Sequence, residues 1–292
     1  LVFNPALFRK LPYDVDRDFR PVGLLARFHM VLAVTKEAPA RSARDFVERA
    51  RAAPRSINYG SAGIGSPHHL TMARLARETG IELTHVPYRG VAPALNDLLS
   101  GNVEAMVVDY AAGGEYLRSG QIRPLAAFSD ARIAGLPDVP VVQEALDLRG
   151  FESYAWQGLV LPKRTPDAEA GRLSAALAAT LQDPATATRM REIGLEPLPG
   201  GPDAFQSLLA SERKTWVPLI RELGGSLDCH SGGVVAQRFV ASPGRRLRLP
   251  RSPSAGDMAC HQTPPWVGSA LRGRPATRPC GTGGPAGLSI GK

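Results

Sequence analysis

The chain predicts an α/β fold with largely parallel sheets. Short apolar runs alternate with helix-length amphipathic segments from Val22 to Leu223. That alternation is how strands joined by crossover helices read in a sequence. Glycine and proline punctuate the boundaries between segments, as turns do. No internal repeat is visible.

The elements follow in order. Val22 to Val34 (VGLLARFHMVLAV) is a long apolar strand run. Ser42 caps a helix over SARDFVERARAA, with Asp45 where a carboxylate meets the helix N-terminus. Ser56 to Tyr59 reads as a short strand, followed by a glycine-rich turn and the helix that it opens. His85 to Tyr88 is a strand, and Pro93 starts a helix that stops near Gly101. Val103 to Asp109, Ile122 to Phe128 and Phe151 to Leu161 are strands, the last containing Trp156. Pro166 to Leu181 is an Ala/Leu-rich helix, and Pro202 to Leu223 is a helix interrupted at Pro218.

The last 68 residues break from this pattern. Residues 225–292 hold 12 Gly and 8 Pro, and no apolar periodicity persists. Such a segment buries too little to offset its chain entropy, so it reads as a disordered basic tail, as a basic tail that binds an acidic partner, or as sequence read out of frame. It also carries most of the net charge of +8: 9 Lys+Arg against 2 Asp+Glu, compared with 26 against 25 in residues 1–224. The body is nearly neutral and makes no electrostatic case for nucleic acid. The three cysteines, Cys229, Cys260 and Cys280, all lie in the tail at spacings that match no zinc pattern. A hydrophobic content of 43% with 21% charged residues is ordinary globular composition. No apolar run approaches the roughly 18 residues of a transmembrane helix. Leu1 opens directly into LVFNPALF, without the basic start or cleavage site of a signal peptide, and reads as a fragment or a processed start.

The most informative stretch is YGSAGIGSPHHL, Tyr59 to Leu70. Ser66 is an N-cap candidate, Pro67 fits the first helical position, and Leu70, Ala73 and Ala76 form an apolar face before Gly80 ends the helix. Gly60 to Ser66 is therefore a loop at the carboxyl end of a strand, where open α/β sheets bind ligands. Glycines bring backbone N–H groups close to an acceptor, and a helix N-terminus favours negative charge. The turn lacks the lysine of a P-loop, runs Gly-x-x-Gly-x-Gly rather than the dinucleotide pattern, and contains no Gly-x-Ser-x-Gly elbow. His68 and His69 are adjacent, about 100° apart on a helix, and do not chelate one metal. A small carboxylate is the most economical guest, and a purely structural connection is the alternative.

Two further loops join it. Val86 to Gly90 (VPYRG) again leads from strand to helix and offers the Tyr88 hydroxyl, the Arg89 guanidinium and the Gly90 backbone. Arg89 either pairs with a carboxylate or is a solvated surface arginine. Asp109 ends the strand EAMVVD; it either meets a ligand amine or caps the helix over Ala111 to Tyr116. His69 is either a ligand contact or a packed, capping histidine. Trp156 either walls a pocket or packs in the core.

Several motifs taken together resemble one family. VFNPALFRKLP, YDVDRDFRPVGLLA, INYGSAGIGSPHHL, THVPYRGVAPALNDLLSGNVEAM, SGQIRPLAAFSDARIAGLPDVPVVQEA and WQGLVLPKRTP occur in order between residues 2 and 224. They are similar to the tripartite tricarboxylate transporter substrate-binding proteins, the Bug/TctC-type periplasmic solute receptors. The resemblance implies a two-lobed type II periplasmic-binding-protein fold that closes over a small organic acid: a di- or tricarboxylate, an amino acid or an aromatic acid. It implies delivery of that acid to membrane permease subunits, with no catalytic role and no cofactor. The lobes it implies are 1–32 with 128–224, and 33–127. It places ligand contacts at Ser61, Ala62, Gly63, Gly65, Ser66, His69, Tyr88, Arg89, Gly90 and Asp109. The family pattern also begins with a signal peptide, a first strand and a Pro-Gly-Gly loop that this sequence lacks, so the first lobe is expected to be incomplete. Pro54-Arg55-Ser56 replaces the usual Pro-Gly-Lys, and the tail is unrelated. The alternative reading is an α/β enzyme on a carboxylated substrate, using His69, Asp109 and Arg89.

Overall fold

The computed structural model describes residues 1–224. The expectation of a disordered tail, and the three cysteines, lie outside the described residues. Two short helical turns, α1 (Asn4–Leu7) and α2 (Val15–Asp18), lead into a 17-residue strand, β1 (Phe19–Thr35). There follow α3 (Ala43–Ala52), β2 (Asn58–Ser61), α4 (Pro67–Thr79), β3 (Thr84–Pro87), α5 (Val91–Leu99), β4 (Ala105–Asp109), α6 (Tyr110–Arg118) and β5 (Ile122–Ala127). The chain continues through α7 (Val142–Leu146), β6 (Tyr154–Pro162), α8 (Asp167–Gln182), α9 (Pro184–Glu192), β7 (Glu196–Gly200) and α10 (Pro202–Glu222).

β1 organises the sheet. Its second half, Met30 to Thr35, lies between β4 and β5 in the strand order β3-β2-β4-β1-β5. Its first half, Phe19 to His29, pairs with β6 and β7. All four of these pairings are antiparallel, whereas β2–β3 and β2–β4 are parallel. The expected largely parallel sheet is therefore corrected to a mixed one. An apolar run buried on both faces reads the same in either direction, so its sequence does not encode the sense of pairing. The strands linked by α4 and α5 are parallel, as crossover helices require.

Both faces of this sheet are covered, which explains the unbroken apolar run. Met30, Leu32 and Val34 point into a core with Phe46 of α3, Met72 and Leu75 of α4, and Phe128 and Phe151. Val31 and Ala33 point into the opposite core with Ala94 and Leu98 of α5 and Leu117 of α6. The ladder shifts register between Leu32 and Ala33, opposite Pro124 of β5. β5 ends the strand order, where a residue without an N–H is tolerated.

Local chemistry sets the helix ends. Ser42 Oγ accepts from Asp45 N–H at 3.1 Å, and Gly80 closes α4 with φ 67°. α5 starts at Val91, two residues before Pro93, because Gly90 at φ 120° serves as its cap. α10 corrects another expectation: it runs through Pro218 without a break. Trp216, Leu219 and Ile220 are 3%, 1% and 0% exposed, so core packing on both sides of the proline holds the helix together despite the lost hydrogen bond. Among the described residues, no helix is long and apolar enough to cross a membrane.

Candidate functional site

The glycine turn begins where β2 ends. Ser61 is fully buried, and its Oγ accepts from the Gly63 N–H at 3.1 Å. Gly63 and Gly65 adopt φ of 124° and 75°, conformations closed to most side chains. A Cβ on Gly63 would lie 3.3 Å from the Tyr88 carbonyl oxygen, and one on Gly65 only 2.5 Å from Leu7 Cδ1. The turn is thus wedged between the β3–α5 loop and α1. Ser66 caps α4 with its Oγ accepting from His69 N–H at 3.3 Å, and Pro67 occupies the first helical position. The Ala62 and Ile64 N–H groups have no acceptor among the described residues. Both lie in the loop just before α4, whose N-terminal dipole favours negative charge.

A stack of three rings supports the turn from below. Tyr59 lies against His85 with centroids 4.8 Å apart and 21° between planes, and His85 lies against His69 at 4.2 Å and 16°. Ser61 Oγ lies 2.7 Å from His85 Nε2. The Gly65 N–H donates to His69 Nδ1 at 3.1 Å, which places the imidazole proton on Nε2. That Nε2 is buried with no partner among the described residues. Burial lowers the His69 pKa to about 4, and burial, then the neighbouring His69, lowers that of His85 to about 3. Both rings are neutral near pH 7, as a face-to-face contact at this distance requires.

The structure divides the expected site residues. Ser61, Ala62, Gly63, Gly65, Ser66 and His69 form one turn, with His69 locked to it through the Gly65 bond. Tyr88 joins through its backbone carbonyl beside Gly63 and its ring beside Gly60. Its hydroxyl donates to Asp97 at 2.6 Å, and burial, then that bond, raise its pKa to about 12. Arg89 is exposed, and Gly90 caps α5. Asp109 is buried: Oδ1 accepts from Ala112 N–H at 2.8 Å and Oδ2 lies 3.2 Å from His68 Nε2. Of its two open roles, the capping one is what the geometry shows, and the His68 contact ties the N-termini of α4 and α6 together. Sequence reasoning missed His85. It faces Tyr59 because β2 and β3 pair in parallel with Tyr59 opposite His85, a register no local signal encodes.

A cavity of about 330 Å³ opens at the start of α4, lined by Asn4, Pro67, Tyr154, Trp156, Gln157 and Glu212 among others. Trp156 therefore walls a pocket and also packs edge-on against Phe205.

Residues 1–225 match the tripartite tricarboxylate transporter family receptor along their length. The chain belongs to this family. The UPF0065 protein in the tcbD-tcbE intergenic region of Pseudomonas sp. (strain P51) is 35% identical over 222 residues, covering 76% of this chain and 66% of that protein. R. palustris Rpa4515, solved with adipate, is 35% identical with a TM-score of 0.69 over 74% of this chain and 72% of that one. The periplasmic binding protein BugD is 30% identical with a TM-score of 0.68 over 76% and 75%. The chain spans about two thirds of the length of the curated relatives it matches. Its α/β fold is that of the receptors in this family.

Proposed function

We propose that the chain acts as a solute receptor. In this reading the glycine turn seats one carboxylate of a small organic acid on the Ala62 and Ile64 N–H groups, and the receptor hands that acid to a tripartite tricarboxylate-type permease outside the cytoplasm. One lobe comprises residues 33–127 and carries the turn; residues 1–32 and 128–224 belong to the other. The observation that carries this reading is the pair of unpaired N–H donors, Ala62 and Ile64, in the loop that leads into α4. Family membership and the adipate bound by the R. palustris neighbour support the same chemistry. The enzyme reading fares worse on the residues it names: His69 bonds the turn, Asp109 caps α6, and Arg89 is exposed.

The test is thermal unfolding of the full chain against adipate, succinate, citrate, glutamate and nicotinate. A ligand at 100 times its Kd should raise Tm by roughly 5–10 °C. Gly63→Val, which places a branched side chain at φ 124°, should abolish the shift while the protein still unfolds cooperatively. A clean transition that no acid moves would overturn the proposal, and consumption of the bound acid would favour the enzyme.

A further inference from the structure

The free donors of the glycine turn have a local cause. Its backbone N–H groups alternate between bonded and free. Those of Gly63 and Gly65 donate to Ser61 Oγ and His69 Nδ1, each at 3.1 Å. Those of Ala62 and Ile64 have no acceptor among the described residues. The two side-chain acceptors therefore decide which N–H groups stay available. The Ser61 bond is the one that falls between the two free donors.

The Ser61 hydroxyl is used up within the protein. It is fully buried, and three polar atoms surround it: the Gly63 N–H, the Gly63 carbonyl oxygen at 3.2 Å and His85 Nε2 at 2.7 Å. A hydroxyl has one proton and two lone pairs. All three bonds form together in one way. Ser61 donates to the Gly63 carbonyl, and accepts from the Gly63 N–H and from a proton on His85 Nε2. The bond to His85 is the shortest of the three. His85 is itself held in place, with Tyr59 stacked on its ring at 4.8 Å and His69 at 4.2 Å. Tyr59 and His69 are 1% and 2% exposed, so the ring sits against a fixed support.

We propose that His85 is a positioning residue for the anion seat. Its Nε2–H holds Ser61 Oγ, Ser61 Oγ holds the Gly63 N–H, and the Ala62 and Ile64 N–H groups are thereby left facing the ligand carboxylate. Ser61 serves the seat from within rather than by touching the ligand. This rests on the receptor reading of the glycine turn and adds to it the residue that sets the turn.

Calorimetric titration of the full chain tests it, with whichever of adipate, succinate, citrate, glutamate and nicotinate binds the unaltered protein. His85→Phe keeps a ring for the stack and removes the N–H. His85→Gln gives up the ring and keeps an N–H donor. His85→Phe should weaken binding roughly tenfold, the effect of one buried hydrogen bond, and His85→Gln should bind more tightly than His85→Phe. A residue that only packed would give the reverse order, so His85→Phe binding as tightly as His85→Gln, or more tightly, would overturn the proposal. Ser61→Ala should cost the same roughly tenfold, and combining it with His85→Phe should cost no more than either alone. Additive losses would mean that the two residues act separately, and would also overturn it. If His85→Phe fails to fold, Ser61→Ala carries the test, and unchanged affinity there counts against the proposal. Binding of none of the five acids would overturn the glycine-turn reading and this one with it, whereas binding that all these variants leave intact sinks this one alone.

Discussion

His69 and His85 make the turn sensitive to acid. Their pKa values in the folded chain, about 4 and about 3, lie below the usual histidine value of 6.5. Between these values the unfolded chain binds protons that the folded chain does not, so stability rises with pH through that window. The contribution is complete above about pH 6.5 and is lost as pH falls toward 4 and then 3. Thermal unfolding from pH 7 to 4 should show Tm falling, and His69→Gln should flatten part of that fall. An identical slope in the variant would mean that other groups carry the dependence. Gly65 makes a second prediction at this scale. Its φ of 75° and the 2.5 Å approach of Leu7 mean that Gly65→Ala should cost roughly 1–3 kcal/mol, measured by urea unfolding.

The elements show what a sequence encodes locally. The caps at Ser42, Ser66 and Gly80 were legible because each bonds within a few residues of itself. Asp183 caps α9 through the Thr186 N–H in the same way, and Pro184 follows at the first helical position, yet this helix was not anticipated. Its residues are buried nowhere, so no apolar stripe announced it. Pro218 misled in the opposite direction, because a local breaker was overruled by Trp216, Leu219 and Ile220. Ser66→Ala should cost about 1 kcal/mol through the lost cap. Pro218→Ala, at an exposed position, should instead raise stability by roughly 1 kcal/mol or more, because the Lys214 carbonyl regains its donor. A loss of stability there would mean that the proline packs productively.

At the scale of the described residues, β1 belongs to two ladders at once. Its second half holds β4 and β5, and its first half holds β6 and β7. Damage in one half should therefore be felt in the other. Leu32→Ala removes a fully buried side chain and should cost about 2–5 kcal/mol. Amide exchange should quicken in β6 as well as in β4 and β5; a rise confined to β4 and β5 would show that the halves open independently. The sense of these pairings was not legible, because direction is a property of distant partners. The place of Glu212, whose Oε2 accepts from the indoles of Trp156 at 3.2 Å and Trp216 at 3.1 Å, was hidden for the same reason: those indoles lie 56 and 4 residues away in sequence, and nothing local marks the glutamate as theirs.

The two indoles on Glu212 have an optical consequence. Trp156 and Trp216 are two of the chain's three tryptophans, and both lend their N–H to the same carboxylate. Indole emission responds to the charge and hydrogen bonding at the ring nitrogen. Any event that withdraws, protonates or neutralises Glu212 is thus written into the protein's own ultraviolet fluorescence, without a dye or a label.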